Sequence, residues 1–181
     1  ILDIDPKRIE IAKEIYGDKL KYFTKKEDFF NSREFDAVLV ATPHYAHPVL
    51  GMEALQNDYH VLVEKPIGVY TKAVKRLYEA AKKSNKIFGV VFNQRTNPLY
   101  QKVKELVETG ELGVLKRINW IITDWYRTQA YYDSGTWRAT WGGEGGGVLI
   151  NQCPHQLDLF QWIFGMPKRV RGFAYFGKNR D

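Results

Sequence analysis

Three short apolar runs, separated by stretches with helical spacing, constrain the fold of this chain more than any other feature. They cover residues 37–42, 61–63 and 87–92. Valine-rich runs of this length, without polar alternation, are typical of strands buried on both faces of a parallel sheet. The order strand, helix, strand, helix with short connections therefore predicts a doubly wound, parallel α/β sheet in the first half of the chain.

Helices are predicted before and between these runs from apolar spacing and terminal signals. Asp5-Pro6 supplies an N-cap and a first-turn proline, and Gly17 is placed to end that helix. Thr24 and Glu27 have capping-box spacing before a short second helix. The other predicted elements of this half are short strands at 1–2 and 22–23 and helices over 46–56 and 71–83.

A charged pair and a proline directly follow the second apolar run, as Glu64-Lys65-Pro66. Proline cannot continue a central strand, so Lys65 is predicted at its carboxyl end, where open α/β sheets bind ligands. A lysine there suits polar or proton-transfer chemistry, since burial lowers its pKa readily. Taken alone, the pair also fits a solvated strand end.

The pattern changes near residue 94. Pro98 opens an amphipathic helix that stops at Gly110, and residues 114–125 and 169–176 have strand character. An apparent helix over 148–165 has Pro154 in an early turn or at a kink. We therefore predict a truncated Rossmann-type domain over 1–93 and, over 94–181, the first part of an α/β domain with a mostly antiparallel open sheet.

Composition narrows the classes of protein. A single cysteine excludes an internal disulfide and favours a reducing, cytoplasmic location, and no apolar run is long enough to span a membrane. The net charge of +6 is spread among acids, so neither nucleic acid nor membrane is a predicted partner. No metal is predicted, because His44 and His47 lack a third ligand at a suitable spacing. The chain begins without Met in mid-element, and we expect a piece of a longer protein.

Four groups of polar and glycine residues follow one another in a specific order. They are Ala41-Thr42-Pro43-His44 with His47, then Glu64-Lys65-Pro66, then Trp137-Arg138, then Gly145-Gly146-Gly147 with Asn151, His155 and Asp158. In these motifs the sequence resembles the Gfo/Idh/MocA oxidoreductases (glucose–fructose oxidoreductase, inositol dehydrogenase and relatives), over nearly the whole chain. The resemblance implies an N-terminal Rossmann domain that binds NAD(P) and a C-terminal domain whose open sheet carries homo-oligomer contacts.

The resemblance also implies residue roles. Lys65 would lie near the nicotinamide and the reacting hydroxyl, His155 would be the catalytic histidine, and Asn151 stands where many members have an aspartate. Asp3 matches the acid that holds the adenosine ribose, which favours NAD over NADP. The other implied cofactor residues are Thr42, Pro43, His44, His47, Glu64, Pro66 and Asn93, and the implied substrate residues are Trp137, Arg138 and Asp158.

Three functions stay open at this point. The first is hydride transfer between NAD(P) and a hydroxyl of a small carbohydrate-like molecule: a sugar, polyol or cyclitol. The alternatives are an NAD-dependent glycosidase and a non-catalytic NAD-binding regulator. By itself, a histidine spaced like His155 from an asparagine is more often structural than catalytic. No Gly-rich phosphate loop precedes Asp3, so we expect residues 1–181 alone to bind NAD weakly.

Overall fold

A parallel sheet forms the centre of the first half. The structure is a computed structural model that describes residues 1–123 and 126–173. Within those residues the sheet has the order β1 (Ala37–Val40), β2 (His60–Val63) and β3 (Phe88–Val90), all parallel. The predicted parallel sheet is confirmed, although β1 and β3 are shorter than the apolar runs that predicted them.

Nine helices lie within the described residues, and those over 47–56 and 71–83 connect successive strands of the sheet. Short 3₁₀ turns occur at Gly17–Lys19 and Asn93–Thr96. The helix predicted over 71–83 has those bounds, and the one predicted over 46–56 begins one residue later. The helices are α1 (Pro6–Tyr16), α2 (Lys26–Asn31), α3 (His47–Gln56), α4 (Thr71–Lys83), α5 (Pro98–Glu108), α6 (Gln129–Asp133), α7 (Trp141–Glu144), α8 (Val148–Asn151) and α9 (Pro154–Phe164).

The first two helices show where local signals succeed and fail. The Asp5 side chain accepts a hydrogen bond from the backbone N–H of Lys7, so the predicted N-cap of α1 is confirmed. The capping box predicted from Thr24 and Glu27 is wrong, because Lys25 occupies the N-cap of α2 without a side-chain bond. Phe23 pairs with Leu2 in an isolated parallel bridge, and the backbone is still extended at Lys25.

The core lies between one sheet face and helices α3 and α4. Val63, Leu77 and Ala54 have no exposed surface, whereas Leu39 and Leu62 on the opposite sheet face are 59% and 43% exposed. No helix in the described ranges is long and apolar enough to cross a membrane. The full core cluster is Phe30, Val38, Val40, Ala54, Leu55, Tyr59, Val61, Val63 and Leu77.

The second half contains helices, and its predicted strands are not formed within the described residues. Residues 114–123 and 169–173 have no strand, and 124–125 and 174–176 lie outside the described ranges. A strand requires a hydrogen-bonded neighbour, and none in the described part pairs with 114–123, where Val114 is 80% exposed. The single helix predicted over 148–165 is divided into α8 and α9, and Pro154 lies in the first turn of α9, as predicted for an early-turn position.

Candidate active site

The carboxyl ends of β1 and β2 contact the glycine-rich part of the second half. After β1, Nδ1 of His44 lies 2.8 Å from the backbone oxygen of Glu144. After β2, the Lys65 ammonium donates to the backbone oxygen of Asn151 at 2.7 Å. Tyr45 adds a third link through its hydroxyl, which donates to the backbone oxygen of Trp141 at 2.8 Å. The ligand-binding edge of the sheet is therefore covered by residues 141–151.

The carboxyl end of β3 holds α9 in place. Arg95 donates through Nε and Nη2 to the two carboxylate oxygens of Asp158, at 2.8 and 2.5 Å. The same guanidinium lies over the ring of Trp162, 5.5 Å from its centroid. Bidentate arginine–carboxylate pairs fix geometry as well as contributing energy. This pair orients the helix that carries His155. The rings of His155 and Phe92 pack edge to face, with 6.2 Å between their centroids.

Two glycines permit this close approach. Gly145 has φ of +78°, and a Cβ there would lie 2.3 Å from Cγ1 of Val69. A Cβ at Gly143 would lie 2.0 Å from the backbone oxygen of Trp137. Any side chain at either position would collide. Gly145 therefore allows the loop to lie against Val69, which follows β2, and Gly143 allows it to pack against the backbone of Trp137.

Lys65 is half-buried, and its surroundings set its protonation. Burial lowers the pKa of its ammonium, while the carboxylates of Glu64 and then Glu144 raise it. Arg127 and Arg138 lower this pKa further by repulsion. The backbone N–H of Lys65 also donates to the Glu64 carboxylate at 3.1 Å, and the following peptide bond to Pro66 is cis.

His155 combines burial with an unused ring nitrogen. Its Nδ1 is buried and has no hydrogen-bond partner among the described residues. Burial lowers the pKa of His155, and the positive charge of Lys65 lowers it further. A neutral imidazole with a free nitrogen at neutral pH is able to accept a proton. The Lys65 ammonium is therefore close enough to His155 for its charge to act on the imidazole.

The two histidines after β1 have different neighbours. His47 is 1% exposed, and its ring nitrogens lie 2.7 Å from the backbone oxygen of Pro66 and 2.5 Å from that of Thr42. It thus joins the loops that follow β1 and β2. The buried ring of His44 packs edge to face with Trp137, with 5.3 Å between the ring centroids. Burial lowers the pKa of His44. Cofactor contacts by either ring stay a prediction.

The remaining predicted site residues divide into three groups. Trp137 and Arg138 lie near the β1 loop and Lys65, and Arg138 donates to the hydroxyl of Tyr131 at 2.7 Å. Asp158 is engaged by Arg95, so this geometry adds no support for its substrate contact. The others are Thr42 and Pro43, exposed after β1, Asn93, exposed at the start of a 3₁₀ turn, and Asp3, whose Oδ1 accepts from the backbone N–H of Asp5 at 2.9 Å.

Sequence reasoning missed the buried acid of this site, Glu144. It is 4% exposed, and the side-chain amide of Asn151 donates to its carboxylate. The available signal was an acid between glycines, Gly143 and Gly145, in a stretch otherwise without carboxylates from 134 to 157. Acids are rarely fully buried without a partner, so this isolated carboxylate was a candidate for a specific contact.

The polar side chains at the sheet edge fit a nicotinamide cofactor and an alcohol. A buried imidazole nitrogen without a partner and a half-buried ammonium are the groups that hydroxyl oxidation needs beside a hydride acceptor. Among the described residues, no group of three or more His, Cys, Asp or Glu side chains is arranged to hold a metal ion.

Comparisons with known protein families agree with this arrangement. Residues 1–92 match the family described as "Oxidoreductase family, NAD-binding Rossmann fold". Residues 100–180 match the family described as "GFO/IDH/MocA C-terminal domain".

Individual proteins extend the comparison. "Putative oxidoreductase YteT" of Bacillus subtilis (strain 168) is 30% identical over 99% of this chain and 42% of that protein. Inositol 2-dehydrogenase of Rubrobacter xylanophilus is 28% identical over 90% of this chain and 43% of that enzyme. The WlbA dehydrogenase of Bordetella pertussis, crystallised with NADH and UDP-GlcNAcA, is 31% identical with a TM-score of 0.78, over 91% of this chain and 50% of that one. The chain thus spans less than half the length of these two curated relatives.

Proposed function

Because this chain belongs to the oxidoreductase family with an NAD-binding Rossmann fold, we propose that the full-length protein transfers a hydride between NAD and a hydroxyl carbon of a sugar, polyol or cyclitol. The contact between Lys65 and Asn151 carries the proposal, because it brings the lysine after β2 next to the segment that leads into His155. The named activity of inositol 2-dehydrogenase and the sugar nucleotide bound to WlbA support the substrate class.

Each side chain has a distinct task in this proposal. NAD, when bound, accepts or returns the hydride. His155 removes the alcohol proton, since its lowered pKa keeps the imidazole neutral at pH 7. Lys65 stabilises the negative charge that develops on the oxygen, and Asn151 holds the ammonium in place. Asp3 binds the adenosine ribose, and its charge disfavours a 2′-phosphate.

The surrounding residues complete the proposed site. Trp137 and Arg138 would line its substrate side, because both lie near the β1 loop and Lys65. The residues near 94 would divide a dinucleotide domain from a substrate domain that also carries homo-oligomer contacts. The proposal also places the full-length protein in the cytoplasm.

The test of the reaction follows the absorbance of reduced nicotinamide in the full-length protein, with cyclitols, pyranoses and polyols as substrates. The variant His155→Ala is expected to lose about 10²–10⁴-fold in kcat. In the wild-type protein, kcat/KM should rise with pH at a value below the ordinary histidine pKa of about 6.5, because burial lowers the pKa of His155. In His155→Ala this rise should disappear. Lys65→Met should also lose most activity, whereas Lys116→Met, at an exposed position, should retain it.

Other outcomes identify the alternatives. Near-normal turnover by His155→Ala with an unaltered pH profile would place the base elsewhere. NAD-dependent glycoside cleavage without net redox turnover would indicate the glycosidase. NAD binding without either reaction would indicate the regulator.

A second experiment concerns cofactor choice. Asp3→Asn removes the charge that disfavours a 2′-phosphate, so the ratio of kcat/KM for NAD over NADP should fall. Asp18→Asn, at an exposed position, is the matched control and should leave the ratio unchanged. An unchanged ratio in Asp3→Asn would remove Asp3 from the cofactor site.

A further inference from the structure

Glu144 is a buried carboxylate that neither the sequence motifs nor the proposed reaction uses. It ends the short helix α7 and is 4% exposed. A carboxylate in such a place requires a specific donor. Its donor is the side-chain Nδ2 of Asn151, which is itself buried. The backbone oxygen of Glu144 is fixed separately by His44.

Asn151 connects this carboxylate to Lys65. Its backbone oxygen accepts from the lysine ammonium at 2.7 Å, and its side-chain Oδ1 lies 3.5 Å from the same nitrogen. A side-chain amide has a donor end and an acceptor end, whereas an ionised carboxylate only accepts and an ammonium only donates. Glu144 must therefore face the NH₂ end of the Asn151 amide, which leaves the oxygen end for Lys65.

The reverse orientation of the amide would be unfavourable at both ends. The Asn151 oxygen would then face the Glu144 carboxylate, and its NH₂ group would face the Lys65 ammonium. Two acceptors and two donors would be opposed in a buried setting, where unsatisfied polar groups are costly. The carboxylate thus determines which end of the Asn151 side-chain amide faces the lysine, beside the backbone oxygen that the ammonium contacts at 2.7 Å.

Glu144 also contributes charge. Asn151 cannot ionise, so the negative charge on this side of Lys65 comes from Glu144, and it raises the lysine pKa against the effect of burial. The charged and titratable groups that act on Lys65, or on which Lys65 acts, are Glu64, Glu144, Arg127, Arg138, His44 and His155.

We propose that Glu144 is a positioning residue for the proposed hydride transfer: its carboxylate orients the Asn151 amide and so directs the amide oxygen at the Lys65 ammonium. This inference rests on the proposed function for its catalytic meaning. The hydrogen-bonded relay itself exists in the described residues whether or not the protein turns over a substrate.

The experiment measures the reactivity of Lys65 as a function of pH. Full-length protein is acetylated with trace acetic anhydride at a series of pH values, and modification of each lysine is quantified by peptide mass spectrometry. In Glu144→Gln the half-reactive pH of Lys65 should shift downward, because the carboxylate that favours the ammonium is gone. The exposed Lys72 is the internal reference and should not shift. Glu79→Gln, an exposed acid on α4, is the matched control and should leave Lys65 unchanged.

An exchange of the two groups is the decisive arm. In Glu144→Gln with Asn151→Asp, the glutamine amide donates to the new aspartate, whose oxygens then face Lys65. The half-reactive pH of Lys65 should return to or above the wild-type value, and kcat should recover relative to Glu144→Gln. A role limited to filling space would not produce this recovery.

Each outcome of these experiments either supports or overturns the proposed role of Glu144. A folded Glu144→Gln protein with an unshifted Lys65 would overturn the proposal. If Glu144→Gln alone does not fold, the exchanged variant decides: restored folding with a restored Lys65 profile supports the relay, and failure of either overturns it. If the Lys65 profile shifts as expected but no hydroxyl substrate is oxidised, the relay stands and the proposed function fails.

Discussion

The two halves of this protein are stabilised by different interactions. In the first half, apolar side chains from β1, β2, α3 and α4 form one core. Among the described residues, ten of the twelve buried apolar side chains lie in that half, and the other two, Leu159 and Ile163, lie on α9. Polar contacts of His44, Tyr45 and Lys65 connect the second half to the sheet edge. Within the second half, Arg95 pairs with Asp158 on α9.

This difference separates stability from geometry. Apolar burial is non-directional, so the core fixes the sheet without aiming individual atoms. Hydrogen bonds and bidentate ion pairs are directional, so the contacts at the strand ends determine where His155 and Asn151 lie. We therefore expect core variants to affect global stability and contact variants to affect the site.

The largest stability effect is expected in the core. Leu77 on α4 has no exposed surface, so Leu77→Ala should lower the free energy of unfolding by about 2–5 kcal/mol through lost burial and a cavity. Urea titration measures the change. Leu99→Ala, at a leucine that is 74% exposed, is the matched control and should change stability by no more than about 0.5 kcal/mol. Equal effects of the two variants would contradict the comparison between core and surface.

A smaller, local effect is expected from the contact at the end of β3. Asp158→Asn removes the charge that pairs with Arg95, which is partly exposed, so the loss should be about 1–2 kcal/mol. Hydrogen exchange should show faster opening of α9, while amides of β1 and β2 keep their protection. Glu105→Gln, which breaks an exposed pair with Lys102, should leave both regions unchanged. Uniform acceleration across the sheet would show that the two halves unfold as one unit.

The smallest effect is expected in the pH dependence. Burial lowers the pKa of His44 in the folded state, so the unfolded chain binds its proton more readily. Stability is then greatest above the unfolded value of about 6.5 and is lost as pH falls toward the lower folded value. His44→Gln should flatten this loss by less than about 1.4 kcal/mol per pH unit, the limit for one proton.

Urea titrations of His44→Gln and wild type between pH 8 and about 5 isolate this histidine, because the carboxylates contribute to both proteins. His155 should cause a similar loss in both, since burial also lowers its pKa. A steeper dependence in the variant would show that His44 stabilises the fold as a cation.

Local periodicity was sufficient for the half that contains its own core. The apolar runs and terminal signals predicted the parallel strands, the N-cap of α1 and the bounds of α4. These features depend on residues within a few positions of each other, so the sequence alone determined them. The roles of Lys65 and His155, which the order of the motifs implied, stay predictions.

Tertiary structure alone decided which side chains meet. His44 contacts Glu144 across 100 residues, and Arg95 contacts Asp158 across 63, so no local pattern encodes either pair. The alternating residues at 114–125 predicted a strand, but pairing depends on a neighbour, and the described residues supply none for 114–123. Glu144 was overlooked for the same physical reason: its burial and its hold on the Asn151 amide arise only when the glycine-rich loop packs against the end of β2.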